Sequence, residues 1–421
     1  MEQTVNRPVA PPDRSYTSVH NYIYWSTLIG VFSGMLRVQI PFYLLLFYLI
    51  MLINFLLMPL IVNFARIAAW IPCFILYLAA SGGIGIVFGT DTIAQVAKEF
   101  LGISVSVVYF YYFFKMIEDD VERAFSTYAR IAFWFTIVAF PIWAGSCIYF
   151  HRFERLRGLT EEPTAFCILV LPAYYWYSYQ YFTSRRFGTR VAVFTLAIIL
   201  SESSNGYLAV AFGAVLLLSR RMKHLVFVPV VVGGLLGLAY SASADFRLRA
   251  DDTLLALFTQ DVSQSNYSTY ALMSNLFVTQ QVLKESPVIG NGLGSHVFSH
   301  QRFIGDVPGV ERFLTDSADL NATEAASLAL RTLSELGILG FSGVLIFLFY
   351  FYVGGNGPRA ALSNALLVCF SLKVLRDGNY FGPEQFFFIF IYMLNHRQHK
   401  LEVRSIALSP SPRLSIAPSR T

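Results

Sequence analysis

Charged side chains are scarce in this chain: Asp, Glu, Lys and Arg make up 14% of its 421 residues, against about 25% in an ordinary soluble domain. So few charges cannot cover a water-exposed surface, which excludes a soluble globular enzyme. Cysteine is scarcer still. Cys73, Cys147, Cys167 and Cys369 all lie in apolar runs, so neither a disulfide framework nor a cysteine metal cluster follows. Residues 1–20 carry Arg7, Pro8, Pro11, Pro12 and Arg14 but no apolar stretch. That excludes a cleavable signal peptide and makes the first helix its own insertion signal. Strict alternation of apolar and polar residues is missing, against a transmembrane barrel. No Asp-rich metal motif of the kind nucleotide-sugar transferases use is present.

What remains is apolar sequence in long continuous runs, with 55% hydrophobic and 16% aromatic residues and a mean hydropathy of +0.54. This is the composition of an all-α polytopic membrane protein, because only helices satisfy the backbone in continuous apolar segments. Spans are expected at 22–37, 41–63, 68–88, 94–115, 129–150, 164–182, 224–242, 337–354, 359–376 and 383–395. The run 191–218 is too long for one span and has Ser201, Glu202, Ser203, Ser204, Asn205 and Gly206 in its middle. Basic clusters flank it, Arg185, Arg186 and Arg190 before and Arg220, Arg221 and Lys223 after. Both favour the cytoplasm, so the run reads as a short broken hairpin. That makes about twelve membrane segments in all.

With both termini cytoplasmic, Arg66, Lys115 to Arg130, Arg359 and the tail from His396 to Lys400 also fall inside. The expected organisation is a disordered N-terminus over 1–20, a transmembrane bundle over 21–240, a large external loop over 241–335, C-terminal transmembrane helices over 336–395, and a basic disordered tail over 396–421. The external loop holds eleven acidic residues against six basic ones. It is not disordered by composition, since 267–284 has a helical apolar pattern that Pro287 stops.

Several features of the external face can carry chemistry. Gly290, Gly292 and Gly294 alternate after Pro287 and permit a tight turn or a close backbone approach. Arg331 and Glu335, four apart, share a helix face at a span entrance; they form either an interfacial ion pair or a substrate-facing couple. Arg157, in the loop after the fifth span, and Arg376, between the last two spans, stand where the positive-inside rule disfavours them. They either snorkel to lipid or bind an anionic substrate. His296 and His300 are also four apart, but two histidines without a matched carboxylate are a poor metal signal. Tyr267, Tyr270 and Phe303 are aromatic residues of the kind that stack on sugars or simply pack.

Four pieces in this order, Arg157-Gly158 to Pro163, Ser201 to Gly206, Pro287 to Gly292, and Ser334-Glu335-Leu336-Gly337 to Gly340, resemble the O-antigen ligase and O-antigen polymerase superfamily of bacterial inner-membrane glycosyltransferases. The resemblance spans residues from about 150 to 345. It implies transfer of a glycan from undecaprenyl pyrophosphate to an acceptor sugar hydroxyl at the periplasmic face. It also places the chain in the inner membrane, with a chain-length regulator as a candidate partner. The family's ligases carry a His-Asn pair shortly before the Glu at the position of Glu335; here those positions read Ala326-Ser327, which favours the polymerase branch. The family's Ser-Arg in the hairpin is replaced by Ser204-Asn205, so no arginine role carries over there.

On this reading Arg157, Arg376 and Arg331 would bind the diphosphate, and Glu324, Glu335 or His300 would take the acceptor proton. No cofactor, metal or nucleic acid is required. The alternatives are a ligase of the same carrier chemistry and a transporter or flippase of a polar or lipid-linked substrate.

Overall fold

The computed structural model describes residues 14–34, 37–40, 42–64, 67–218, 233–234, 237, 240–241, 244–259, 261–315 and 317–408. Among them the chain is helical apart from one short antiparallel pair, Arg37–Ile40 with Phe42–Leu45. The helices are α1 (Arg14–Gly30), α2 (Leu46–Leu57), α3 (Trp70–Val87), α4 (Ile93–Met116), α5 (Val121–Phe150), α6 (Pro163–Ser184) and α7 (Gly188–Leu200). They continue as α8 (Ser204–Leu218), α9 (Ala244–Thr259), α10 (Tyr267–Glu285), α11 (His296–Phe303), α12 (Leu328–Tyr350), α13 (Pro358–Arg376) and α14 (Pro383–Leu408). Five of these, α3, α4, α5, α12 and α13, are long and apolar enough to cross a membrane. The chain is therefore a helical membrane protein.

Local sequence sets the ends. Thr92, Asp120, Asn266 and Ser327 each accept a backbone N–H in the first turn of α4, α5, α10 and α12, filling one of the orphan donors every helix start carries. Pro163 and Pro358 begin α6 and α13, where a missing N–H costs nothing.

The sequence reading and the structure part company in two places. Helix α1 begins at Arg14, inside the stretch expected to be disordered, and it ends at Gly30 rather than at 37; α2 starts only at Leu46. Gly30 closes α1, as glycine does at helix ends. Helix α14 continues past 395 to Leu408, because side chains beyond the apolar stretch pin it. Arg359 grips Glu402 at 2.8 Å, and Gln398 Nε2 donates to the Asp119 carbonyl at 2.5 Å. The expected span 224–242 falls mostly outside the described residues.

The run 191–218 does break, at Ser201–Ser203 between α7 and α8, with Glu202 at a left-handed φ of 45°. The loop between α5 and α6 satisfies the carbonyls that the break frees. Leu156 N donates to Leu200 O at 2.9 Å, and Arg155 donates to the carbonyls of Ser201 (3.2 Å) and Glu202 (2.9 Å).

The C-terminal helices are not an appendage. α13 packs against α6 and α8, and α14 against α4 and α5. Phe387 and Phe388 meet Tyr128, while Phe387 and Phe390 stack on Phe114. Polar glue is sparse: Thr27, Asn54 and Tyr109 bond one another across α1, α2 and α4, as small polar networks do between membrane helices. The segment 244–328 has its own small core, where Tyr270 stacks on Phe313 with 3.9 Å between ring centroids.

Candidate functional site

Helix order and contacts bring five segments to one end of the bundle: the loop 88–92, the loop 151–162, the break at 201–203, the segment 286–327 and the corner 377–382. The keystone is a break in α12. Gly337 has φ 66° and ψ −165°, so the helix is interrupted there. The interruption leaves backbone groups unpaired, and the glycine-rich turn fills them. Asn291 N and Gly292 N donate to the carbonyls of Ser334 and Glu335, both at 2.9 Å, while Ile338 N and Leu339 N donate to Pro287 O and Val288 O, both at 3.0 Å.

This pairing needs glycine. A Cβ on Gly290 would sit 2.6 Å from the Glu335 backbone, and one on Gly337 would sit 2.3 Å from Val288 O. Gly292, at φ 103°, presses on Gly85 of α3 with 2.7 Å from its would-be Cβ. Gly294 lies against Asp91 Oδ2 at 2.8 Å by the same measure.

Beside this clamp Arg331 is buried, its side chain 2% exposed. Every guanidinium nitrogen is engaged: Nη2 pairs with Glu99 Oε2 at 2.7 Å, Nε with Glu335 Oε1 at 3.0 Å, and Nη1 donates to Gly378 O at 3.1 Å. The Tyr380 ring covers it at 4.1 Å. Glu99 also accepts from Gln95 Nε2 at 3.1 Å. Across the 377–382 corner lies a second buried cation with two carboxylates. Lys373 Nζ meets Asp377 Oδ2 at 2.8 Å and Glu384 Oε1 at 2.7 Å. Charge in a low-dielectric interior persists only when paired and hydrogen-bonded in this way.

A third buried network joins α10, α11 and α12. Asn275 Nδ2 donates to Ala271 O at 2.6 Å, which turns Oδ1 toward His296 Nε2 at 2.8 Å. His296 therefore donates from Nε2 and accepts at Nδ1 from the Ser334 hydroxyl at 2.6 Å. Burial holds His296 neutral, its pKa well below the usual histidine value. The arrangement has the connectivity of a nucleophile relay, but Ser334, His296 and Asn275 are all buried completely. It holds the clamp in place and does not face a substrate.

The sequence-derived residues thus separate by access. Arg331 and Glu335 are locked to each other. His300 is buried, with Asp319 Oδ1 the nearest carboxylate at 3.9 Å, and burial lowers its pKa. Glu324, by contrast, is half-buried, and its carboxylate makes no hydrogen bond among the described residues. Burial first, then Asp377 and Glu161, raise its carboxyl pKa, while Arg331 and Lys373 work the other way. Arg157 is exposed and donates to its own loop at Glu161 O, 3.3 Å. Half-buried Arg376 donates to Ser268 O at 3.2 Å. Neither pairs with a carboxylate among the described residues.

Tyr270 is spent on packing, Tyr267 is 63% exposed, and the Phe303 ring lies under Arg302 at 4.6 Å. Among the described residues no three His, Cys, Asp or Glu side chains gather as a metal site.

Sequence reasoning missed Glu99, Lys373 and Glu384. The signal was there for two of them: Glu99 and Lys373 are charges inside expected apolar spans, and such residues require a partner. Asp91 was missed as well. Burial raises its pKa to about 6, with Glu335 adding to the shift. No family model matches the chain, and no curated protein matches it.

Proposed function

We propose that the protein is a polysaccharide repeat-unit polymerase of about twelve membrane segments. It transfers glycan from undecaprenyl pyrophosphate to an acceptor sugar hydroxyl at the periplasmic face of the bacterial inner membrane, with both termini cytoplasmic. One observation carries this reading. Glu324 is within electrostatic reach of both Glu161, on the loop of Arg157, and Asp377, next to Arg376. A carboxylate with a raised pKa thus lies within reach of the two segments that carry Arg157 and Arg376, which have no carboxylate partner among the described residues.

The chemistry suits these three groups. The acceptor oxygen attacks the anomeric carbon and its proton passes to Glu324. The anomeric C–O bond breaks, and its electron pair stays on the diphosphate oxygen. Arg157 and Arg376 neutralise the charge that develops there, because guanidinium binds phosphate bidentately without a metal. Direct displacement inverts the anomeric centre. Arg331, Glu99 and Glu335 stay locked to one another beside the Gly337 break.

Deleting the gene and sizing the lipid-linked intermediates tests the proposal. Single repeat units accumulating on the carrier, cleared by wild type and not by Glu324→Gln, support it. Complete polymer stranded on the carrier makes the enzyme a ligase.

A transporter or flippase is the second reading, and the buried Arg331 and Lys373 clusters beside a broken helix favour it, since transporters place charge at such breaks. Unchanged lipid-linked intermediates in the deletion strain, with a transport defect, would select it.

A further inference from the structure

The opposite end of the bundle holds a cleft of about 470 Å³ between the start of α3, the ends of α4 and α12, and α14. Its walls are aromatic: Trp70 meets Phe390, with ring centroids 6.1 Å apart, and Phe390 stacks on Phe114 at 5.9 Å. Its mouth is cationic, lined by Lys115, Arg397, Lys400 and Arg404 with Asp119 as the single acid. Asp119 is shared by Lys115 at 3.2 Å and Arg397 at 3.4 Å. Lys400 rests over the Tyr350 ring at 5.1 Å, and Arg404 has no ion pair among the described residues.

Positions 397, 400, 401 and 404 follow i, i+3, i+4, i+7 and so share one face of α14. The helix is rigid there because Arg359 holds Glu402 and Gln398 holds Asp119. A neighbouring cleft of about 180 Å³ shows the contrast, for its Arg359 is already neutralised by Glu402.

We infer that the larger cleft binds the headgroup of an anionic phospholipid, with the phosphate on Lys400 and Arg404 and the glycerol against Trp70 and Phe390. Excess positive charge over an aromatic floor at a bundle end is the pattern by which membrane proteins hold such headgroups. Residues 409–421 carry Arg413 and Arg420 and no acid, so their sequence supplies no carboxylate to compete with a phosphate. The inference concerns the end remote from Glu324 and stands or falls apart from the proposed activity.

Native mass spectrometry of the full-length protein tests it, with phosphatidylglycerol, phosphatidylcholine and inorganic phosphate as separate probes. The control is Arg185→Gln/Arg186→Gln, which removes equal charge elsewhere. We expect Lys400→Gln/Arg404→Gln to weaken phosphatidylglycerol binding about twenty-five-fold, from about fivefold per cation. The control should change it less than twofold, and all three proteins should melt alike. Equal losses in both doubles would overturn the site, as would equal binding of phosphatidylcholine. Binding of inorganic phosphate as tight as that of the lipid would overturn the lipid assignment.

Discussion

At the end of the bundle where α12 breaks, Arg331 and Lys373 are almost wholly buried, and each is held by two carboxylates. At the other end, four cations line the mouth of an open cleft with one carboxylate, Asp119, which pairs with two of them, Lys115 and Arg397. The difference separates charge that builds the molecule from charge that can bind something. A buried cation whose own donors are all engaged has nothing left to offer a ligand, whereas an exposed excess of one sign attracts its opposite. The same test divides the first end internally: Arg331 is structural, while Arg157 and Arg376, with only backbone partners, are available.

The hardest way to break that division is to remove the structural cation. Arg331→Met leaves Glu99 and Glu335 buried without a counter-charge and should cost about 3–5 kcal/mol. Thermal unfolding in detergent reads the loss. Adding Glu99→Gln and Glu335→Gln should restore part of it, and a full loss that persists would mean Arg331 does more than balance them.

Glu324→Gln should do the reverse. Its unfolding should be near wild type, while repeat-unit transfer falls about 10²- to 10⁴-fold, as for loss of a general base. The acid limb of the kcat/KM profile sharpens this. A base must be deprotonated to act, and the carboxyl pKa of Glu324 is raised. Activity should therefore fail, as pH drops, at a higher pH than an ordinary carboxylate would allow.

Gly337→Ala comes next. It forces a side chain into a positive-φ break and against Val288 O, and should destabilise by on the order of 1–3 kcal/mol. Denaturant or thermal midpoints of Gly337→Ala set against Gly343→Ala, a helical glycine with open space around it, isolate the backbone effect. Arg157→Ala should leave unfolding within about 0.5 kcal/mol of wild type and still slow transfer. A large stability loss there would remove Arg157 from the available class.

Much of this was legible in the sequence. The broken run at 201–203 follows from polar residues at mid-length between two basic clusters, and α10 follows from an apolar period closed by Pro287. Arg331 and Glu335 could be paired from spacing alone, four residues apart on one helix. Their depth could not, because the partner that buries them, Glu99, lies 232 positions earlier on another helix. The role of Gly290 and Gly292 was equally out of reach, since their partners are the carbonyls freed by a break at Gly337. The length of α14 also escaped, because Arg359 and Asp119 hold its polar end from other helices.

By itself, the sequence determined that this protein lives in a membrane as a helical bundle, and where several of its helices are capped. Those properties depend on local composition, capping and the need to satisfy the backbone within each segment. Only the tertiary structure decided which charges are consumed and which remain free. Burial and pairing are set by neighbours distant in the chain, and a side chain's chemistry depends on what surrounds it rather than on its identity alone.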